Sequence, residues 1–281
     1  MEKFKIVCRQ KVLPLSDKTI IMGIINVTPD SFSDGGQYLD PSCAVEHGLA
    51  MFDQGAAIID VGGESSQPGA QPVEPKEQIK RVIPVISQLS RRSDIIISID
   101  TTSSKVAEAA LEAGASIIND ISALRFDKKM ASLAAKDKVP VVLMHMQGEP
   151  YSMQVKPAYK DVVQEVKAFL KQRIEFAVSA GIQREQIIID PGIGFGKTVE
   201  HNLLLMKHLK DFSELAAPIL IGPSRKSFIK SVLSIEHPQD RLWGTAAAVA
   251  WCAANGAQMV RVHDVPQMAQ VIKLTAAIKN T

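Results

Sequence analysis

The sequence predicts an α/β protein: one (β/α)8 TIM-type barrel preceded by a short N-terminal β-hairpin. Three observations carry this. Short runs rich in Ile, Val and Leu alternate with longer amphipathic stretches along the chain. The alternation repeats eight times, the number that closes a parallel barrel. The 281 residues match one such domain, typically about 250 residues, and no Gly- or Ser-rich linker divides them. Residues 1–281 are therefore read as a single domain, with 1–18 as its extension. A doubly wound parallel sheet uses the same alternation and stays open as the second architecture.

Residues 4–18 read as a hairpin, a candidate lid on the barrel bottom. The barrel strands are then expected at Thr19–Val27, Ala56–Val61, Asp94–Asp100, Ser116–Asp120, Val139–His145, Gln186–Asp190, Pro218–Gly222 and Gln258–His263. Their near-continuous β-branched composition suits strands covered on both faces. The first helix, Pro41–Gln54, follows Asp40, a suitable N-cap. In Glu74–Arg92 the apolar Ile79, Val82, Ile83 and Ile86 fall at helical spacing. Thr102–Ala113 stops at Gly114, a natural residue beyond a helix C-cap. Lys128–Lys136, Tyr159–Ala180, Val199–Leu209, Asp240–Asn255 and Pro266–Ile278 complete the set.

Composition narrows the function classes. There are 32 Lys and Arg against 30 Asp and Glu, a net charge of +2, which provides no field for nucleic acid. The longest apolar run, Ala246–Ala254, is far shorter than the roughly 20 residues of a membrane span. The first ten residues carry charges where a secretory leader needs an apolar stretch. Cys8, Cys43 and Cys252 are scattered, with neither disulfide nor metal-knuckle spacing. A soluble cytoplasmic protein with no nucleic-acid or membrane partner is expected.

Barrel chemistry sits at the carboxyl ends of the strands, and here each of those ends is polar. They read Asn26, Asp60 with Glu64, Asp100, Asn119 with Asp120, His145, Asp190, Arg225 with Lys226, and Arg261 with His263. Any one alone is an ordinary turn or capping residue; together they converge on one rim, as a small-molecule site requires. Arg261 and His263 are two apart on a strand, so they share a face suited to a phosphate or diphosphate. Lys226 and Arg225 precede a possible short helix over Ser224–Val232, a common phosphate position in barrels. Asp100, Asn119 and Asp190 offer acceptors and one amide to a ring bearing several N–H groups.

Two lookalikes are rejected. Pro191–Thr198 resembles a P-loop but has Pro where the motif needs its first Gly, and Gly192, Gly194 and Gly196 lack dinucleotide spacing. The six histidines show no paired metal-ligand spacing, which argues against zinc but leaves room for a loosely held Mg²⁺.

Five long segments resemble one family, dihydropteroate synthase. They are Ile25–Gly36, Asp60–Ala70, Asp190–Lys197, Gly222–Phe228 and Arg261–Val265. The resemblance implies condensation of 6-hydroxymethyl-7,8-dihydropterin diphosphate with 4-aminobenzoate to 7,8-dihydropteroate, with Mg²⁺ as cofactor and a homodimer as assembly. It implies Asn26 as the metal ligand, and Ser66, Gln67, Arg261 and His263 with Asn26 around the diphosphate. Asp100, Asn119, Met144, Asp190, Phe195 and Lys226 would form the pterin pocket. Phe32, Pro68 and Ser227 would wall the aminobenzoate pocket. Asp34, Lys226, Arg261 and His263 would be catalytic, Asp34 facing positive charge on the pterin methylene. The second segment departs from the family's usual Ser-Thr-Arg-Pro-Gly, reading Ser65-Ser66-Gln67-Pro68-Gly69, so Gln67 stands where a cation is common. Two alternatives remain: a related pterin-binding methyltransferase-like barrel, and a catalytically weak pterin-binding homologue. The Ala-rich Gly244–Ala254 is a candidate partner surface, or ordinary barrel packing.

Overall fold

The computed structural model describes residues 4–15, 18–28, 41–65 and 69–281. Phe32, Asp34, Asp40, Ser66, Gln67 and Pro68 lie outside the described residues.

An antiparallel hairpin, β1 (Phe4–Cys8) and β2 (Lys11–Leu15), opens the chain. Eight parallel strands follow: β3 (Ile20–Asn26), β4 (Ile58–Gly62), β5 (Ile96–Asp100), β6 (Ile117–Asp120), β7 (Val141–Met144), β8 (Ile187–Asp190), β9 (Leu220–Ile221) and β10 (Met259–Val262). Each pairs with its neighbour in the order β8-β7-β6-β5-β4-β3-β10-β9. The ring closes between β8 and β9 through the single bridge Ile189↔Ile219, where the Ile189 N–H donates to the Pro218 carbonyl at 2.9 Å. The expected barrel, and not the doubly wound sheet, is the fold.

Helices α1 (Pro41–Asp53), α2 (Pro75–Arg92), α3 (Ser104–Ala113), α4 (Met130–Asp137), α5 (Val162–Ser179), α6 (Val199–Lys207), α7 (Ser227–Leu233), α8 (Leu242–Ala254) and α9 (Val265–Lys279) surround it. The boundaries moved for local reasons. α5 starts at Val162, not Tyr159, because Asp161 Oδ1 accepts from the N–H groups of Val163 and Gln164 and caps the helix there. Residues 238–241 form a 3₁₀ turn, so α8 begins at Leu242 rather than Asp240.

Strand alternation sorts the side chains into two cores. Met22, Ile58, Ile96, Ile117, Val142, Ile188, Leu220 and Met259, one from each barrel strand, form a buried interior cluster with Ile6, Cys8 and Leu15 of the hairpin. The hairpin is thus a plug at the bottom of the barrel, as the expected lid. The alternate positions, such as Ile25, Ile59, Ile97 and Ile189, pack outward against the helices. Two residues on from the apolar interior ring, the inward positions become Ile24, Asp60, Ser98, Asn119, Met144, Asp190, Gly222 and Arg261. The floor of the barrel is hydrocarbon, and the next interior layer carries charge.

Candidate active site

The polar layer opens into a cavity of about 820 Å³. Asn26, Asp100, Asn119, Met144, Asp190, Phe195, Lys226, Ser227, Arg261 and His263 all line it. Every predicted site residue within the described residues therefore reaches one cavity, whose volume is ample for a bicyclic ring and a second small reactant.

Its wall is built around the loop after β8. Gly192, Gly194 and Gly196 all have positive φ, and a Cβ on Gly192 would sit 1.9 Å from the His145 carbonyl oxygen, so no other residue fits. This explains the glycine spacing that imitates a nucleotide loop. The Gly192 N–H donates to Asp190 Oδ1 at 2.6 Å. The Gly194 N–H donates to Asn202 Oδ1 at 2.7 Å, and its carbonyl accepts from Gln154 at 2.9 Å. Tyr159, expected inside a helix, instead donates its hydroxyl to the Gly196 carbonyl at 2.7 Å. The caged loop presents Phe195, which packs with Ile121, Met144, Met146 and Met153 as the apolar side of the pocket.

Lys197 ends this loop and was not singled out by the sequence. Its ammonium is buried, 2.9 Å from His145 Nδ1, and donates to the carbonyls of Phe195 at 2.9 Å and His145 at 3.3 Å. Three acceptors match the three N–H bonds of an ammonium. Burial pulls its pKa down to about 7, against the opposing pull of Asp190. Burial drives His145 down to about 2, aided by the neighbouring Lys197 and Arg125 cations, so its ring is neutral.

Beside this loop and across the cavity the acidic groups meet the cations. Burial raises Asp190 to about 6, despite the Gly192 hydrogen bond and the nearby Lys226, Lys197 and Arg261. Lys226 Nζ lies 4.1 Å from the Phe195 ring centroid, a cation–π contact, and burial lowers its pKa to about 8. Arg261 bridges two carboxylates: Nε donates to Asp60 Oδ2 at 2.6 Å and an Nη to Asp100 Oδ2 at 2.7 Å. Burial raises the pKa of Asp100, opposed chiefly by Arg261. Asp60 also accepts from Asn119 Nδ2 at 2.9 Å. In the sequence Asp60 is only a polar strand end, and its register two residues beyond Ile58 is the signal that it faces inward.

His263 behaves differently from a fixed cation. Its pKa is pushed down to about 3, first by burial and then by Arg225 and Arg261. Ser224 Oγ accepts from the His263 backbone N–H at 3.2 Å and lies 3.0 Å from Nδ1. The hydroxyl has two lone pairs and one proton, so it can meet Nδ1 in either tautomer of the neutral ring. Arg225 also lines the cavity, with its guanidinium forked onto Asp264 at 3.0 and 2.5 Å.

No group of three or more His, Cys, Asp or Glu side chains among the described residues is arranged to hold a metal. Asn26 offers the cavity one hard amide oxygen, and Gly62 leaves space beside it. One protein oxygen with substrate phosphates and water is a donor set that suits Mg²⁺.

Comparison with known proteins agrees with this geometry. The family model "Pterin binding enzyme" matches residues 22–263. Dihydropteroate synthase of a Synechocystis strain is 45% identical over 269 residues, 96% of this chain and 93% of its own. The solved structure of Xanthomonas albilineans dihydropteroate synthase with 4-aminobenzoic acid superposes with a TM-score of 0.94 at 42% identity, covering 100% of both chains. The same enzyme in complex with 7,8-dihydropteroate gives 0.89 at 40% identity, covering 99% of each chain. With that match spanning the strands that build the cavity, the chain belongs to the pterin-binding enzymes, in the dihydropteroate synthase family.

Proposed function

We propose that the chain is an active dihydropteroate synthase, joining 6-hydroxymethyl-7,8-dihydropterin diphosphate to 4-aminobenzoate and releasing pyrophosphate. The observation that carries this reading is the convergence of Asp100, Asn119, Asp190 and Lys226 in one cavity that also holds Arg261 and His263. Carboxylate and amide groups take the N–H groups of a pterin, and Lys226 supplies a donor to its acceptors. Met144 and Phe195 cover the ring's apolar face. Arg261 and His263 would meet the diphosphate with Asn26, and Ser227, exposed beside Lys226, would wall the aminobenzoate pocket.

In the reaction the methylene C–O bond breaks and its electron pair leaves with the diphosphate. The aromatic amine then forms the C–N bond and loses a proton. Negative charge grows on the leaving group and positive charge on the methylene, so donors fixed on one side and carboxylates on the other lower the barrier. Mg²⁺, held by Asn26 and the diphosphate, would supply Lewis-acid stabilisation of the leaving group. Phe32, Asp34, Ser66, Gln67 and Pro68 take the roles their family motif implies.

We further propose a homodimer. The adjacent helices α6 to α9 expose Leu203, Val232, Leu233, Trp243, Trp251, Leu274 and Ile278, a concentration of large apolar groups suited to a second copy. A cytoplasmic location fits three free cysteines, two of them buried, and no described helix long and apolar enough to cross a membrane. The decisive experiment supplies purified protein with the pterin diphosphate, 4-aminobenzoate and Mg²⁺. Stoichiometric pyrophosphate and dihydropteroate support the reading; no turnover above the protein-free control removes it.

A further inference from the structure

Asp60 is fully buried in the barrel wall, yet one of its oxygens serves two cavity residues. Oδ2 accepts from Arg261 Nε at 2.6 Å and from Asn119 Nδ2 at 2.9 Å. The two donors come from β10 and β6, on either side of β4 and β5 in the ring. Asp60 itself does not line the cavity. Its second oxygen, Oδ1, is buried without a partner, beside the equally unpartnered Ser98 Oγ across the β4–β5 register. A bare buried carboxylate oxygen is costly, and hydrophobic replacements would fill this layer more cheaply. The carboxylate therefore needs a reason beyond packing.

We propose that Asp60 is a positioning residue that divides Arg261 between the pterin pocket and the anion site while fixing the Asn119 amide. This rests on the synthase reading above. The Asn119 nitrogen gives one N–H to Asp60, so the side on which its nitrogen and oxygen face the ligand is set before the ligand arrives. Arg261 is held between Asp60 and Asp100, 2.6 and 2.7 Å away, and each carboxylate offsets part of its positive potential. Affinity for the anion is thereby kept below what a free guanidinium would give, which favours release of pyrophosphate. Alignment of the ring is gained in exchange.

The two halves have opposite signs, and this separates positioning from simple structural support. Asp60→Asn keeps the volume and can keep an oxygen toward both donors, but removes the charge. Calorimetry with Mg²⁺-pyrophosphate should then show binding tighter by about three- to tenfold, up to ~1.4 kcal/mol, while bare 6-hydroxymethyl-7,8-dihydropterin changes less than about twofold. Asp60→Leu removes the acceptor as well, so the pterin should bind about tenfold more weakly while pyrophosphate still binds more tightly. Pyrophosphate affinity unchanged or weakened in Asp60→Asn overturns the proposal, and that variant carries the test alone if Asp60→Leu does not fold. A parent chain that binds neither ligand overturns the synthase reading together with this inference. A parent that binds both, with variants that lose both in parallel, overturns this inference only.

Discussion

Replacing Lys197 with Met removes the cation that ties the 192–196 loop to the end of β7. Methionine has similar length, so the cavity left is small and the main loss is polar. The carbonyls of Phe195 and His145, which accept from Lys197 Nζ at 2.9 and 3.3 Å, lose that donor in a buried site. At ~1–3 kcal/mol for each stranded acceptor, Lys197→Met should be destabilised by ~2–6 kcal/mol in urea unfolding near neutral pH. The size of the effect also depends on pH in a defined direction. The folded protein holds the Lys197 pKa near 7, below the ordinary 10.5. Between those values the unfolded chain binds more protons, so this group makes the parent's stability rise as pH rises. The variant lacks that contribution, and its deficit should widen from pH 7 toward pH 10. A second readout is ligand binding. Asp190, already raised to about 6, loses a nearby cation and should titrate higher still, which moves the acid limb of pterin binding upward. A variant with parental stability, an unchanged pH slope and an unmoved binding limb would refute the role given to this lysine.

The remaining predictions concern the reacting groups. Arg261→Ala should weaken pyrophosphate binding and take away the cation between Asp60 and Asp100, so binding should fall by ~1.5–3 kcal/mol and stability should fall with it; calorimetry and thermal unfolding measure both. Asp190→Asn can place an amide donor against a pterin N–H, costing ~1–3 kcal/mol of pterin affinity, and an unchanged dissociation constant would place the ring elsewhere. In the parent, pterin binding should decline as pH falls through about 6, because protonation of Asp190 removes the acceptor-only state; a flat profile from pH 7.5 to 5 contradicts this. Gln67→Arg should raise kcat/KM for the pterin diphosphate, about tenfold for 1.4 kcal/mol, with the gain shrinking at high salt, and a flat or lower value would show that the anion is neutralised without it.

The barrel was legible because its strands are buried on both faces and therefore read as continuous apolar runs. The site was legible for a related reason. Asn26, Asp100, Asn119, Asp190, Arg261 and His263 interrupt those runs at their carboxyl ends, where a polar side chain has an open cavity to face. Asp60 interrupts its run in the same way, but it stands one residue before Val61 and its side chain remains sealed. Composition does not distinguish a residue that touches ligand from one that touches its neighbours. Lys197 was hidden differently: the glycines before it imitate a phosphate loop, and only the folded loop shows that its ammonium faces inward to backbone carbonyls. The Tyr159 boundary failed because helical periodicity says nothing about a side chain used to hold a distant loop.

The charges inside the barrel also explain why so few of them are free. Asp60, Asp100 and Asp190 bring three carboxylates into one interior, and Lys197, Lys226 and Arg261 bring three cations. Removing these groups from water is unfavourable for each alone, and mutual compensation makes the set tolerable. Desolvation outweighs that compensation in the titration directions: burial pulls Asp100 and Asp190 up and Lys197 and Lys226 down, so protonation equilibria of both signs move toward neutrality. A ligand that brings N–H donors to Asp100 and Asp190 and an anion to Lys226 and Arg261 would relieve both imbalances at once. A ligand with only one of the two would relieve one and leave the other. That asymmetry is a physical reason for the site to prefer a pterin joined to its diphosphate over either part alone.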